Sequence, residues 1–105
     1  MEIIIFYIPF GSIEEATASG SLAIEKHLAA CANIFPMQSI FPWEGQMQHD
    51  HEIVLILKTI PALKDQLRDF IASVHTYETP AILSWPVEVN DAYGRWISEQ
   101  IREIL

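Results

Sequence analysis

The hydrophobic pattern alternates between strand-like and helical periods along the chain. Residues from Glu2 to Pro9 are β-branched and aromatic almost throughout, which predicts a central strand covered on both faces. Ser12 followed by Glu15 has the spacing of a capping box, and Ile13, Ala16, Gly20, Ile24 and Leu28 then recur at helical intervals. A first helix is therefore predicted over residues 12–29. Gly20 in its middle costs about 1 kcal/mol relative to Ala, a loss explained if the helix lies very close to a sheet.

From Ala32 to Trp43 the apolar residues Phe35, Met37, Phe41 and Trp43 fall at even spacing, and Glu44-Gly45 supplies a turn. A long hairpin is predicted, its second arm running from Gln46 to Thr59 with Ile53, Leu55 and Leu57 on one face and Val54 and Ile56 on the other. Pro36 and Pro42 cannot donate ladder hydrogen bonds, so the first arm should be an edge strand or carry a bulge. An edge of that length invites pairing with another chain. Pro61 suits a helix start, with Leu63, Leu67, Phe70, Ile71 and Val74 forming a 3-4 stripe behind it. After a turn at residues 76–79, Pro80 to Val87 reads as a short strand. Asn90 or Asp91 can cap a last helix whose apolar face is Tyr93, Trp96, Ile97, Ile101 and Ile104.

The order β-α-β-β-α-β-α, under the handedness rule for crossovers, leads to an α+β fold: a ferredoxin-like split βαβ sandwich with an additional C-terminal helix. The chain has 105 residues, half of them hydrophobic, the size of one compact domain. A formal charge of −8 repels phosphate-rich partners, and the scattered basic residues Lys26, Lys58, Lys64, Arg68, Arg95 and Arg102 form no patch for nucleic acid. Apolar runs are far shorter than the ~20 residues of a membrane helix. The single Cys31 cannot form an internal disulfide, and no secretory leader is recognisable, so a cytoplasmic location is expected.

The segments Leu28 to Ile34, Ser39-Ile40-Phe41 and Trp43-Glu44-Gly45 resemble the pattern of the CutA divalent-cation-tolerance family. So do Glu52 to Thr59, the turn His75-Thr76-Tyr77-Glu78-Thr79-Pro80, and Tyr93 with Trp96. The resemblance spans nearly the whole chain. It implies a trimer of ferredoxin-like protomers with hairpins pairing between subunits, non-enzymatic, responsive to divalent metal ions and to copper above all. The alternative is a small-molecule-sensing trimer resembling the PII signalling proteins, although their basic phosphate-binding residues are not evident. Three positions depart from the family pattern: Gln46 stands for a Lys, Thr76 for a Pro, and Ala81 for a Glu. A copper site described for some members uses a first-strand Cys and a His pair; Tyr7 and Val74 occupy the places of the Cys and the first His, leaving His75.

The candidate chemistry lies in two places. His49 and His51, at i and i+2, project to one face of a strand, where two imidazoles suit copper, zinc or nickel but need a further ligand; the alternative is a solvated hairpin face. His75, where the second helix ends, either bonds the helix's last carbonyls or joins a polar pocket with Tyr77, Glu78 and Lys58 that takes a metal or a small anion. No cofactor is required on this reading, copper(II) or another divalent cation being the candidate ligand. Cys31 is expected to be a buried small residue, His27 an edge-of-core or surface residue on the first helix, and Trp43, Trp85 and Trp96 core or trimer-interface residues. Gly-x-Ser-x-Gly, His-Glu-x-x-His and Cys-x-x-Cys motifs are absent from the chain, so it is not read as an enzyme.

Overall fold

A computed structural model describes residues 1–102; Ile104, expected on the face of the last helix, lies outside the described residues. The elements are β1 (Glu2–Phe10), α1 (Ile13–Glu25), β2 (Cys31–Trp43), β3 (Gln46–Thr59), a 3-10 turn at Pro61–Leu63 leading into α2 (Lys64–Val74), β4 (Leu83–Glu88) and α3 (Asp91–Arg102). The strands form one antiparallel sheet in the order β2-β3-β1-β4, the split βαβ arrangement that the element order required.

Alternation along β1 divides the core in two. Ile4, Phe6, Ile8 and Phe10 point to one face and pack with Leu55 and Leu57 of β3, Ala16 and Ala23 of α1, and Leu67 and Ile71 of α2. Full burial of each large side chain contributes about 1.5–3 kcal/mol. Ile3 points the other way, to Ile97 and Ile101 of α3. Helices α1 and α2 therefore cover one face of the sheet, and α3 covers only one end of the opposite face. Gly20 is where the first layer comes closest: a Cβ there would stand 3.1 Å from Leu55 Cδ1 and 3.3 Å from Ala32 Cβ.

Helix α1 ends earlier than its apolar stripe predicts. Lys26 is the C-cap, and His27 adopts a left-handed φ of 59°. The Leu28 amide bonds Ala23 O at 2.9 Å and the His27 amide bonds Ile24 O at 3.0 Å, which together make a Schellman motif. His27 is thus a cap residue outside the helix, in a conformation usually taken by Gly or Asn. At the other end the capping box is only half made. Ser12 Oγ accepts from the Glu15 amide, but the Glu15 carboxylate accepts from Thr76 Oγ1 instead.

The hairpin leaves the body of the molecule. Pairing of β1 with β3 stops at Phe10 and Ile53, whereas β2 and β3 pair without a bulge to Trp43 and Gln46. Strand β2 is an edge, so Pro36 and Pro42 are accommodated without one. Residues 46–52 and their partners 37–43 form a two-stranded ribbon roughly 20 Å long at ~3.4 Å per residue. It closes through Glu44 and Gly45, both at positive φ, as a type I′ turn requires. The ribbon raises the radius of gyration to 14.6 Å, above the ~13 Å of a compact chain this long.

Candidate functional site

The register decides what each hairpin residue faces. Directly opposed residues share a face, so Phe41, Trp43, Gln48, Asp50 and Glu52 lie with Tyr7 and Pro9 on the face that carries no α1 or α2. Their neighbours Met47, His49 and His51 lie on the opposite face. His49 and His51 are exposed, and their shallow surroundings are Gln38, Ser39, Ile40 and Asp50. Among the described residues no group of three or more His, Cys, Asp or Glu side chains is placed to hold a metal ion. The pair is brought to one face as expected, but among the described residues no third ligand of these types joins it.

His75 takes a different role from the two expected. Its Nε2 lies 2.7 Å from Pro9 O, and its Nδ1 accepts from the Tyr77 amide at 3.1 Å. A carbonyl only accepts and an amide N–H only donates, so the proton sits on Nε2 and neither nitrogen is left for a metal. The ring stacks on Phe10 with centroids 4.2 Å apart. His75 is the C-cap residue of α2, its backbone amide bonding Ile71 O, but its side chain bonds no carbonyl of its own helix and instead staples the end of α2 to the end of β1.

The staple places Tyr77, whose hydroxyl donates to Glu52 Oε2 at 2.7 Å. Partial burial, and then the Glu52 carboxylate that accepts its proton, raise the Tyr77 pKa well above the ordinary phenol value. Tyr77 and Glu78 form one wall of a pocket of about 470 Å³, with Thr79 and Ala81 beside them. The hairpin residues Phe41, Trp43, Gln48, Asp50 and Glu52 form the other wall, and Pro9 lies between.

Lys58 is not in this pocket. It sits on the order of 20 Å along β3 from Glu52 at ~3.4 Å per residue, and its Nζ donates to Tyr93 Oη at 3.2 Å, tying α3 to the sheet. The pocket therefore unites Tyr77 and Glu78 as expected, separates them from Lys58, and adds Asp50, Glu52, Phe41 and Trp43. The sequence groups His49, Asp50, His51 and Glu52 as one metal-like cluster, but the period of two that pairs the imidazoles on one face pairs the acids on the other.

The uncovered face also carries exposed apolar side chains. Phe35 (40% exposed), Trp43 (50%), Leu83 (49%) and Trp85 (42%) stand open on it. Trp96 stacks on Tyr93 and is 43% exposed. None of the three tryptophans is in the core, against that half of the expectation. Cys31 is half-buried and unpaired, its thiol 3.7 Å from Asn33 Oδ1. No helix among the described residues is long and apolar enough to cross a membrane.

Comparison with known proteins gives a consistent result. A family model described as CutA1 divalent ion tolerance protein matches residues 4–100. The divalent-cation tolerance protein CutA of Archaeoglobus fulgidus is 38% identical over 96 residues, covering 90% of this chain and 94% of its own. Its solved structure, described as periplasmic, superimposes with a TM-score of 0.89, covering 97% of this chain and all of that one. Human protein CutA is 40% identical over 78 residues, 72% of this chain, and the chain spans only 44% of its length. The chloroplastic protein CutA 1 of Oryza sativa subsp. japonica is 33% identical over 102 residues, 95% of this chain and 58% of its own.

Proposed function

Because the chain belongs to the CutA1 divalent ion tolerance family, we propose that it is a non-enzymatic, metal-responsive homotrimer that binds copper(II) or a similar divalent ion at the His49/His51 face of its hairpin. The observation that carries the assembly half of this reading is the uncovered apolar face, continuous with a two-stranded ribbon that has no support of its own. Isolated two-stranded ribbons are marginally stable in water, and a further copy would cover both the open face and the edge of β2. The ion-binding half is supported by the two exposed imidazoles at i and i+2 on one strand face. Assembly offers a source for the third ligand that the described residues of one chain do not supply, and water is the other. The unpaired Cys31 supports a reducing, cytoplasmic setting, although relatives carry periplasmic and chloroplastic labels. Nothing favours the nucleotide-sensing alternative, since the pocket is lined by three carboxylates and no Lys or Arg.

Native mass spectrometry of the tag-free chain under increasing copper(II) tests the ion-binding half. A fixed number of ions per assembly, lost in a His49→Ala/His51→Ala variant and retained in His75→Ala, is the expected result. Gradual uptake that the double substitution does not change would overturn the site.

A further inference from the structure

The ribbon face that carries His49 and His51 holds a third donor of another kind. Met47 stands two residues before His49, so its side chain leaves the strand on the same face, and at 71% exposed its thioether is open to solvent. Cross-strand pairing sets Pro42 opposite Met47, Ile40 opposite His49 and Gln38 opposite His51. Ile40 is itself 65% exposed. The face therefore grades from sulfur and hydrocarbon beside the turn to imidazole and amide nearer the body. It looks the opposite way from Tyr7, Pro9, Trp43 and the open sheet face assigned to assembly.

Spacing divides the three donors into two pairs. Neighbours at i and i+2 are about 7 Å apart along the strand, within reach of one ion between them, whereas Met47 and His51 are about 14 Å apart and too distant to share one. His49 is common to both pairs. With His51 it offers two imidazoles, which suit a divalent ion but leave its coordination short of four. With Met47 it offers an imidazole and a polarizable thioether, a softer pair that selects copper(I). Copper(I) has a filled d shell and no geometry to enforce, and two donors in line complete its coordination. The need for a third ligand, which limits the imidazole pair, does not arise. Ile40 and Pro42, opposite this pair, offer hydrocarbon and no side-chain oxygen to draw a harder ion. The formal charge of −8 attracts either copper ion, so donor softness and not charge makes the distinction. We propose that Met47 and His49 form a copper(I) site at the tip of the ribbon. Because His49 serves both pairs, the two occupancies exclude each other, a coupling that rests on the function proposed above; the copper(I) site itself stands on Met47 and His49 alone.

Competition of the full chain in its native assembly against the chromophoric chelator ferrozine tests this, under anaerobic conditions with ascorbate holding the copper reduced. The parent should withdraw one copper(I) per chain. Met47→Leu, which keeps the bulk of an exposed side chain, and His49→Ala should each weaken binding at least tenfold, whereas His51→Ala should change it less than twofold. The chain has three methionines, and with their ε-methyl carbons labelled only the Met47 resonance should shift as copper(I) is added. Two results would overturn the proposal: copper(I) binding that Met47→Leu leaves unchanged, or no withdrawal of copper(I) by the parent. Copper(II) uptake is followed in parallel on the same proteins. Its absence in a chain that still binds copper(I) through Met47 would remove the function proposed above and leave this site standing. Copper(II) uptake retained alongside either overturning result would remove this site alone.

Discussion

The hairpin of β2 and β3 passes through two environments, and its sequence changes with them: residues 53–58 of β3 are apolar up to Lys58, whereas residues 46–52 are polar but for Met47. In its root, residues 53–59, β3 lies between β2 and β1, and Leu55, Leu57 and Thr59 are fully buried under the helices. In its tip, residues 46–52, β3 has only β2 beside it, and Met47 and Ile40 are 71% and 65% exposed. Composition and coverage change together from root to tip: the apolar residues lie where layers pack on them, and the polar ones where only β2 is beside them. The root is a folding element. The tip is a two-stranded surface held out from the body.

Substitutions at matched positions sharpen the contrast, the largest effect coming from the root. Leu57→Ala removes a fully buried side chain facing both helices and should cost about 2–5 kcal/mol, read as a lowered urea midpoint at fixed protein concentration. At the junction, Tyr77→Phe removes the bond to Glu52 and should cost about 1–3 kcal/mol, since the acceptor is ionised. The same change alters the pH dependence. The folded state raises the Tyr77 pKa above its ordinary value near 10, so the folded chain holds this proton more tightly than the unfolded chain does. Its stabilisation is complete below about pH 10 and falls as pH rises beyond that. Thermal melts from pH 8 to 11 should show a decline in stability above pH 10 that is shallower in Tyr77→Phe. Equal slopes would remove Tyr77 from the account. At the tip, Met47→Gln should change stability by less than about 0.5 kcal/mol; a loss near that of Leu57→Ala would mean that the ribbon is covered on the helix-side face too.

Root and tip were also unequally legible in the sequence. The strand order, the edge character of β2 and the tight approach at Gly20 follow from local signals: alternation, two prolines, and a glycine in a helical stripe. The end of α1 does not. Its Schellman turn is built on His27 where Gly is the usual marker, so the apolar stripe running on to Leu28 had nothing to interrupt it. His75 departs from both expected roles for a different reason. Its partner is the Pro9 carbonyl, 66 residues away, and no local pattern records such a contact. Lys58, expected beside Tyr77 and Glu78, instead bonds Tyr93 of α3 through its Nζ. The alternation that joins His49 with His51 equally joins Asp50 with Glu52, but only the position of the helices tells which of those faces borders a pocket.

The central claim is that the uncovered sheet face and the ribbon form an assembly surface. Sedimentation velocity of the tag-free chain from low to high micromolar concentration, alongside Phe35→Glu on the open face, tests it most directly. A species of three chains for the parent, and dissociated or insoluble protein for the variant, is the predicted result. A folded parent chain that sediments as a monomer across the whole range would contradict it.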